Sequence, residues 1–225
     1  MHRITPELSE VRWKMNRVGD LKKLWESIKD RIEARISEFD YMAAKAENVE
    51  LFRELVFCLL TPQSKARQCA QACQRLFQQP HIFKEPSERI AEVIHDIRFK
   101  NNKAKYIKRA YEMFQGIDLR KLITGFETIF DARNWFAENV KGFGYKEASH
   151  FLRNTGFGYE LAILDRHILK NLHQYGVIDR VPVSLSKKRY LEIESKMQDF
   201  SRKVEIPMHH LDFVFWYKQT GDIFK

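Results

Sequence analysis

The chain has 225 residues, 44% of them hydrophobic, with 17 Phe, 8 Tyr and 4 Trp, enough apolar material for one packed domain or two small ones. No stretch approaches the roughly 20 uncharged apolar residues of a membrane span, and Met1 to Lys14 lacks the apolar core of a secretory signal, so a soluble, cytoplasmic protein is expected. Thirty-nine Lys and Arg against 30 Asp and Glu leave a net charge of +9, which suits nucleic acid but also fits a basic enzyme without such a partner.

The periodic residues Leu21, Leu24, Trp25, Ile28, Ile32, Ile36 and Phe39 predict a first helix, with Asp20 as its cap. A second apolar run covers Val49–Leu60 and breaks at Thr61–Pro62; a third, Ser64–Phe77, ends at Pro80. Cys69 and Cys73 lie one turn apart in this third helix. Together with Cys58 they form an odd set without metal-ligand spacing, which predicts buried thiols. Ile90, Val93, Ile94 and Ile97 mark another helix, and Ala104, Ile107, Tyr111 and Phe114 the next. Asp131 is a candidate cap for a helix through Trp135 and Phe136 to Val140. Lys146–Asn154 follows, stopped by Thr155–Gly156. Asp165 stands where an N-cap belongs for the Ile168, Leu169, Leu172 run. Ser186 caps a long charged helix toward Val204, and Pro207 opens a final apolar helix containing Leu211, Phe213, Val214, Phe215 and Trp216. Strand alternation is absent, so the class is all-α.

Chemistry concentrates around Val140–Lys146. Gly142 and Gly144 permit a tight turn between two helices and leave backbone N–H groups unshielded. Amides at a helix start can cradle a phosphate without reading sequence, although a plain helix connection has the same pattern. Lys146 follows directly, in the first turn of the next helix. Nineteen residues later comes Asp165, within Ile163-Leu-Asp-Arg-His-Ile168, a carboxylate that can cap its helix and do chemistry as well.

Val140–Asn154 with Ile163–Leu169 resembles the helix–hairpin–helix and catalytic-aspartate signature of the base-excision DNA glycosylase superfamily. Lys141 replaces the proline usual in that hairpin and adds a charge suited to phosphate. Bifunctional members carry a lysine at the position of Lys146, and the absence of a four-cysteine cluster excludes the iron–sulfur subgroup. The ending Trp216-Tyr-Lys-Gln-Thr-Gly-Asp-Ile-Phe-Lys225 resembles the type-two 8-oxoguanine DNA glycosylase/lyases of archaea and bacteria. That likeness implies two helical subdomains flanking a DNA-binding cleft, one from residues 1–60 and 175–225, the other from 61–174 with the hairpin motif at about 132–154.

The resemblance further implies excision of 8-oxoguanine and β-elimination at the abasic site, by a nucleoid-associated prokaryotic enzyme acting as a monomer on double-stranded DNA. Lys146 would attack deoxyribose C1′ as a neutral amine, and Asp165 would stabilise positive charge developing on the sugar. The base pocket would take Trp216 as stacking face, Asp212 as acceptor, and the terminal carboxylate of Lys225 as the reader of N7–H, which guanine lacks. Met208 and Phe99 are candidate apolar walls, with ordinary packing as the competing reading. Gln63 is a candidate wedge for the vacated stack, or simply an exposed loop residue. Lys141, Gly142, Gly144 and Tyr145 would contact DNA, and Lys65, Arg67, Lys100, Lys103 and Lys105 are candidate phosphate contacts. His167 reads as a surface or supporting residue, and His209–His210 with Asp212 lack a complete ligand set. No cofactor and no catalytic metal are expected, apart from a monovalent cation that superfamily hairpins sometimes hold. Two rival readings stand: a bifunctional glycosylase for another oxidised base, and a non-catalytic hairpin module.

Overall fold

The computed structural model describes residues 6–224, with side chains from residue 17 onward. Among the described residues there is no strand, and the helices run α1 Pro6–Ala44, α2 Asn48–Leu60, α3 Ala66–Phe77, a 3-10 turn Pro80–Phe83, α4 Ser87–Val93, α5 Lys100–Phe114, α6 Leu119–Thr124, α7 Ile129–Asn139, α8 Tyr145–Asn154, α9 Arg166–Gln174, α10 Lys187–Val204 and α11 Met208–Thr220. The all-α class expected from the sequence is the class observed. Two helix starts differ from expectation. α1 is already helical from Pro6, so Asp20 lies inside it and caps nothing. α7 is capped by Thr128, whose Oγ1 accepts the Asp131 amide at 3.1 Å, which puts Asp131 in the first turn. The six-residue α6, capped by Asp118, is too short for its periodicity to stand out.

The chain packs as two units, and the break falls inside α1: one unit holds residues 37–159 with Phe224, the other the described residues up to 36 with 160–223. The boundaries expected from the sequence lie at 60/61 and 174/175 instead. Packing moves both. α2 lies against α3, α5, α6 and α8 and so belongs with the hairpin, while residues 160–165 are tied to α10.

In the hairpin unit α2 is the central helix. Leu51, Phe52, Leu55, Val56, Phe57, Leu59 and Leu60 are buried along it, and each such side chain contributes roughly 1.5–3 kcal/mol by leaving water. Phe52, Phe77, Phe83 and Tyr111 form one aromatic cluster; Phe136 joins Phe114, Trp135 and Phe151 in a second. The polar tie between α2 and α8 is buried: Asn154 Nδ2 donates to Glu54 Oε1 at 2.6 Å. Gly156 closes α8 at φ +79°, where a Cβ would stand 2.2 Å from the Phe39 carbonyl oxygen, so only glycine lets the chain pass α1 there.

In the other unit Leu21, Ile28 and Ile32 supply the buried stripe of α1. α11 packs on α9 and α10, and Asn171 Nδ2 donates to the Phe215 carbonyl at 3.3 Å.

Candidate active site

The hairpin between α7 and α8 is built by Gly142, at φ +100°. A Cβ there would meet Tyr106 Cδ2 at 2.5 Å and Leu59 Cδ2 at 3.1 Å, so both the backbone conformation and the close approach require glycine. Phe143 is buried beneath the turn and its amide donates to the Val140 carbonyl at 3.0 Å. Lys141 stays exposed. Gly144 is the N-cap of α8, and its amide donates to Glu147 Oε2 at 3.1 Å. Tyr145 follows as the first helical residue, its ring under the Arg133 guanidinium at 4.8 Å.

Lys146 is the second residue of α8. Its side chain is 24% exposed, and Nζ sits 3.0 Å from Glu147 Oε1. The same carboxylate therefore closes the helix start with one oxygen and holds the lysine with the other. An amine held in an ion pair is protonated, and only the neutral form of an amine is a nucleophile.

In the other unit, the strap Glu160–Asp165 is fastened to α10. Tyr190 Oη donates to the Ala162 carbonyl at 2.6 Å and accepts the Leu164 amide at 3.3 Å, while Glu194 Oε1 accepts the Ala162 amide at 2.8 Å. This delivers Asp165 to the start of α9 as an N-cap, with Oδ1 accepting the amides of His167 and Ile168 at 2.7 and 2.8 Å. Both cap bonds use one oxygen. Among the described residues Oδ2 has no hydrogen-bond donor.

Trp216, Asp212 and Met208 lie on α11. Met208 and Asp212 are buried, and Trp216 is half-buried with the His167 ring edge-on at 5.1 Å. His167 thus braces the indole. Trp216 Nε1 and His167 Nδ1 are enclosed without a partner among the described residues, a cost that a bound group with acceptor or donor atoms would offset. Back in the hairpin unit, Phe99 and Gln63 share a backbone peculiarity: both are non-glycine residues in the left-handed region, at φ +58° and +55°. Both are also exposed, with Arg98 lying over the Phe99 ring at 4.8 Å. Strain of this kind gathers at functional turns. Lys225 lies outside the described residues; Phe224 before it packs on Phe57, with the Arg67 guanidinium over its ring at 5.3 Å.

A family model for 8-oxoguanine DNA glycosylase matches residues 32–206. The chain belongs to that family. It is 43% identical to the 8-oxoguanine DNA glycosylase/AP lyase of Fusobacterium nucleatum over 92% of this chain and 97% of that protein. Against the Methanocaldococcus jannaschii protein of the same description, identity is 37% over 94% and 99%. The crystal structure of the M. jannaschii 8-oxoguanine DNA glycosylase is similar at a TM-score of 0.84, with 36% identity, over 94% of this chain and 97% of that one. A second M. jannaschii structure, of the glycosylase/lyase in complex with 15mer DNA containing 8-oxoguanine, is similar at 0.82, with 34% identity, over 92% and 99%.

In this member of the 8-oxoguanine DNA glycosylase family, two residues have places that the sequence does not announce. Glu147 is one, and its signal is the capping-box spacing of a carboxylate three positions after a cap residue. Lys103, expected as a phosphate contact, is instead 3% exposed, with all three protons of its ammonium donated inside the protein. Its spacing carried the signal. Lys103 falls on the same helical stripe as Ile107, Ala110 and Phe114, all buried on α5. The three cysteines are buried thiols as expected, and burial pushes the Cys69 thiol up to about 11, which keeps it unreactive.

Proposed function

We propose that this chain removes 8-oxoguanine from duplex DNA and then nicks the abasic strand, with Lys146 as the nucleophile. The observation that carries this reading is the placement of Lys146 directly behind a glycine hairpin, in the first turn of α8, in a chain of this family. The exposed Lys141 and the amides at the start of α8 suit a DNA phosphate. The damaged base must leave the stack before an amine can reach its sugar. Lys146 Nζ, released from Glu147 and deprotonated, bonds to C1′ as the C1′–N9 bond breaks and its electron pair leaves with the base, which takes up a proton. The ring then opens to a Schiff base. Loss of a C2′ proton expels the 3′ phosphate oxygen, and the strand is cut. Asp165, whose Oδ2 is uncommitted by the cap, stabilises the cationic sugar.

In this reading Trp216 stacks on the extruded base and is braced by His167. Asp212 accepts from the base edge, Met208 and Phe99 wall it, and Gln63 fills the gap in the duplex. Gly142, Gly144 and Tyr145 shape the backbone grip. The enzyme acts as a monomer on one lesion, in the cytoplasm at the nucleoid. Among the described residues no helix is long and apolar enough to cross a membrane.

Borohydride trapping tests the core of the proposal. Wild-type protein on duplex DNA containing 8-oxoguanine is expected to give a covalent adduct, and Lys146→Gln none. An adduct that persists in the variant, or is absent from wild type, overturns it. Replacing the lesion with other oxidised bases tests the substrate.

A further inference from the structure

The turn that presents Gln63 is held from below by a buried ammonium. Lys103 reaches from α5 and its Nζ donates to the Leu60 carbonyl at 2.7 Å, the Pro62 carbonyl at 2.7 Å and Ser64 Oγ at 3.0 Å. Those bonds exhaust the three donors of a lysine. Two of the acceptors belong to the residues on either side of Gln63, and the third is the last residue of α2, at the negative end of its dipole. Cys69 Sγ also donates to the Leu60 carbonyl, at 3.2 Å, and Thr61 Oγ1 closes on the Cys58 carbonyl at 2.9 Å. Gln63 itself stands exposed in the left-handed conformation, φ +55°, which a non-glycine residue keeps only when its surroundings impose it. Among the described residues no other side chain bonds both of its neighbours at once.

We propose that Lys103 is a positioning residue for base extrusion: by pinning Pro62 and Ser64 it holds Gln63 in the conformation that enters the duplex as the damaged base leaves. This rests on the reading of Gln63 as the residue that fills the vacated stack.

The clamp also has a titration. Burial is the main influence on Lys103 and lowers it from 10.5 to about 8. Cys69 on α3 and Glu147 on α8 oppose the shift, while Lys146 on α8 and Arg98 ahead of α5 add to it. A neutral amine has two protons for three acceptors, so the turn loosens as pH rises past about 8. Global stability moves the other way. Between about 8 and 10.5 the unfolded chain binds more protons at Lys103 than the folded one, so this group's contribution to stability rises with pH. Loss of positioning through Lys103 is therefore not the first stage of unfolding through Lys103.

The test uses duplex DNA with 2-aminopurine beside 8-oxoguanine, whose fluorescence rises when the stack opens. Lys103→Met is expected to slow the rise by roughly tenfold, the loss of charge-assisted hydrogen bonds, to match Gln63→Ala, and to add nothing to it in the double variant. Borohydride trapping on duplex DNA with a preformed abasic site, which has no base to extrude, is expected to stay within about twofold. In wild type the rise is expected to weaken between about pH 7 and about pH 9.5, and in Lys103→Arg, which stays charged, to hold. A normal rise in Lys103→Met, full additivity with Gln63→Ala, or an equal fall in abasic-site trapping overturns the proposal. If Lys103→Met does not fold, a pH-independent wild-type rise overturns it alone. Failure of the glycosylase reading shows separately, as absence of any wild-type adduct, and failure of the Gln63 reading as a normal rise in Gln63→Ala.

Discussion

The starts of α8 and α9 carry the two proposed catalytic groups and are built in opposite ways. At α8 the structural work falls on Gly142, Gly144 and Glu147, and the Lys146 side chain pairs with Glu147 instead of capping the backbone. At α9 one residue does both jobs, because Asp165 caps the helix with Oδ1 and has only Oδ2 to spare. On the proposed roles, chemistry and stability are separable in the hairpin and joined at Asp165. A carboxylate tolerates this double duty because it has two oxygens and a helix N-terminus favours its charge. A lysine at a helix start gains nothing there, so its scaffold has to be supplied by neighbours.

The sharpest break of the comparison is Lys146→Gln. Single-turnover excision with trapping is expected to fall by at least about a thousandfold, while the unfolding free energy stays within about 0.5 kcal/mol, since a partly exposed ion pair contributes little. Marked destabilisation would mean that Lys146 carries structure after all. Gly142→Ala should do the converse. A Cβ 2.5 Å from Tyr106 at φ +100° is expected to cost about 2–3 kcal/mol in urea unfolding, and an unchanged midpoint would show that the hairpin does not depend on that glycine.

Asp165 sharpens the comparison because its two roles can be divided by two substitutions. Asp165→Asn keeps an oxygen for the His167 and Ile168 amides and removes the charge, so excision is expected to drop about a hundredfold with thermal stability retained. Asp165→Ala should lose as much activity and about 1 kcal/mol of stability besides. Equal stability of the two variants would refute the joint role.

The sequence made the hairpin and Asp165 legible because both are local. A glycine pair between periodic segments, and an acidic residue directly before one, are read within a few positions. The all-α class was legible for the same reason. For Lys103 residue type and spacing disagree: lysine suggests solvent, yet its position falls on the buried stripe of α5, and only the acceptors around it show why the charge is tolerated there. The unit boundaries were also hidden, because α2 joins the hairpin through contacts with α3, α5, α6 and α8 that no stretch of sequence displays.

The smallest effect concerns Glu147, whose two oxygens serve Gly144 and Lys146 separately. Glu147→Gln preserves an acceptor for the Gly144 amide but ends the ion pair, so stability should hold while Lys146 is released from its carboxylate. Glu147→Ala removes both and is expected to cost about 1 kcal/mol, the usual worth of a helix-start acceptor. Thermal unfolding of the two variants separates the roles, with single-turnover trapping as the second readout. If Glu147→Gln is as unstable as Glu147→Ala, the ion pair supports the hairpin. Lys146 would then be part of its own scaffold, and the contrast with Asp165 would disappear.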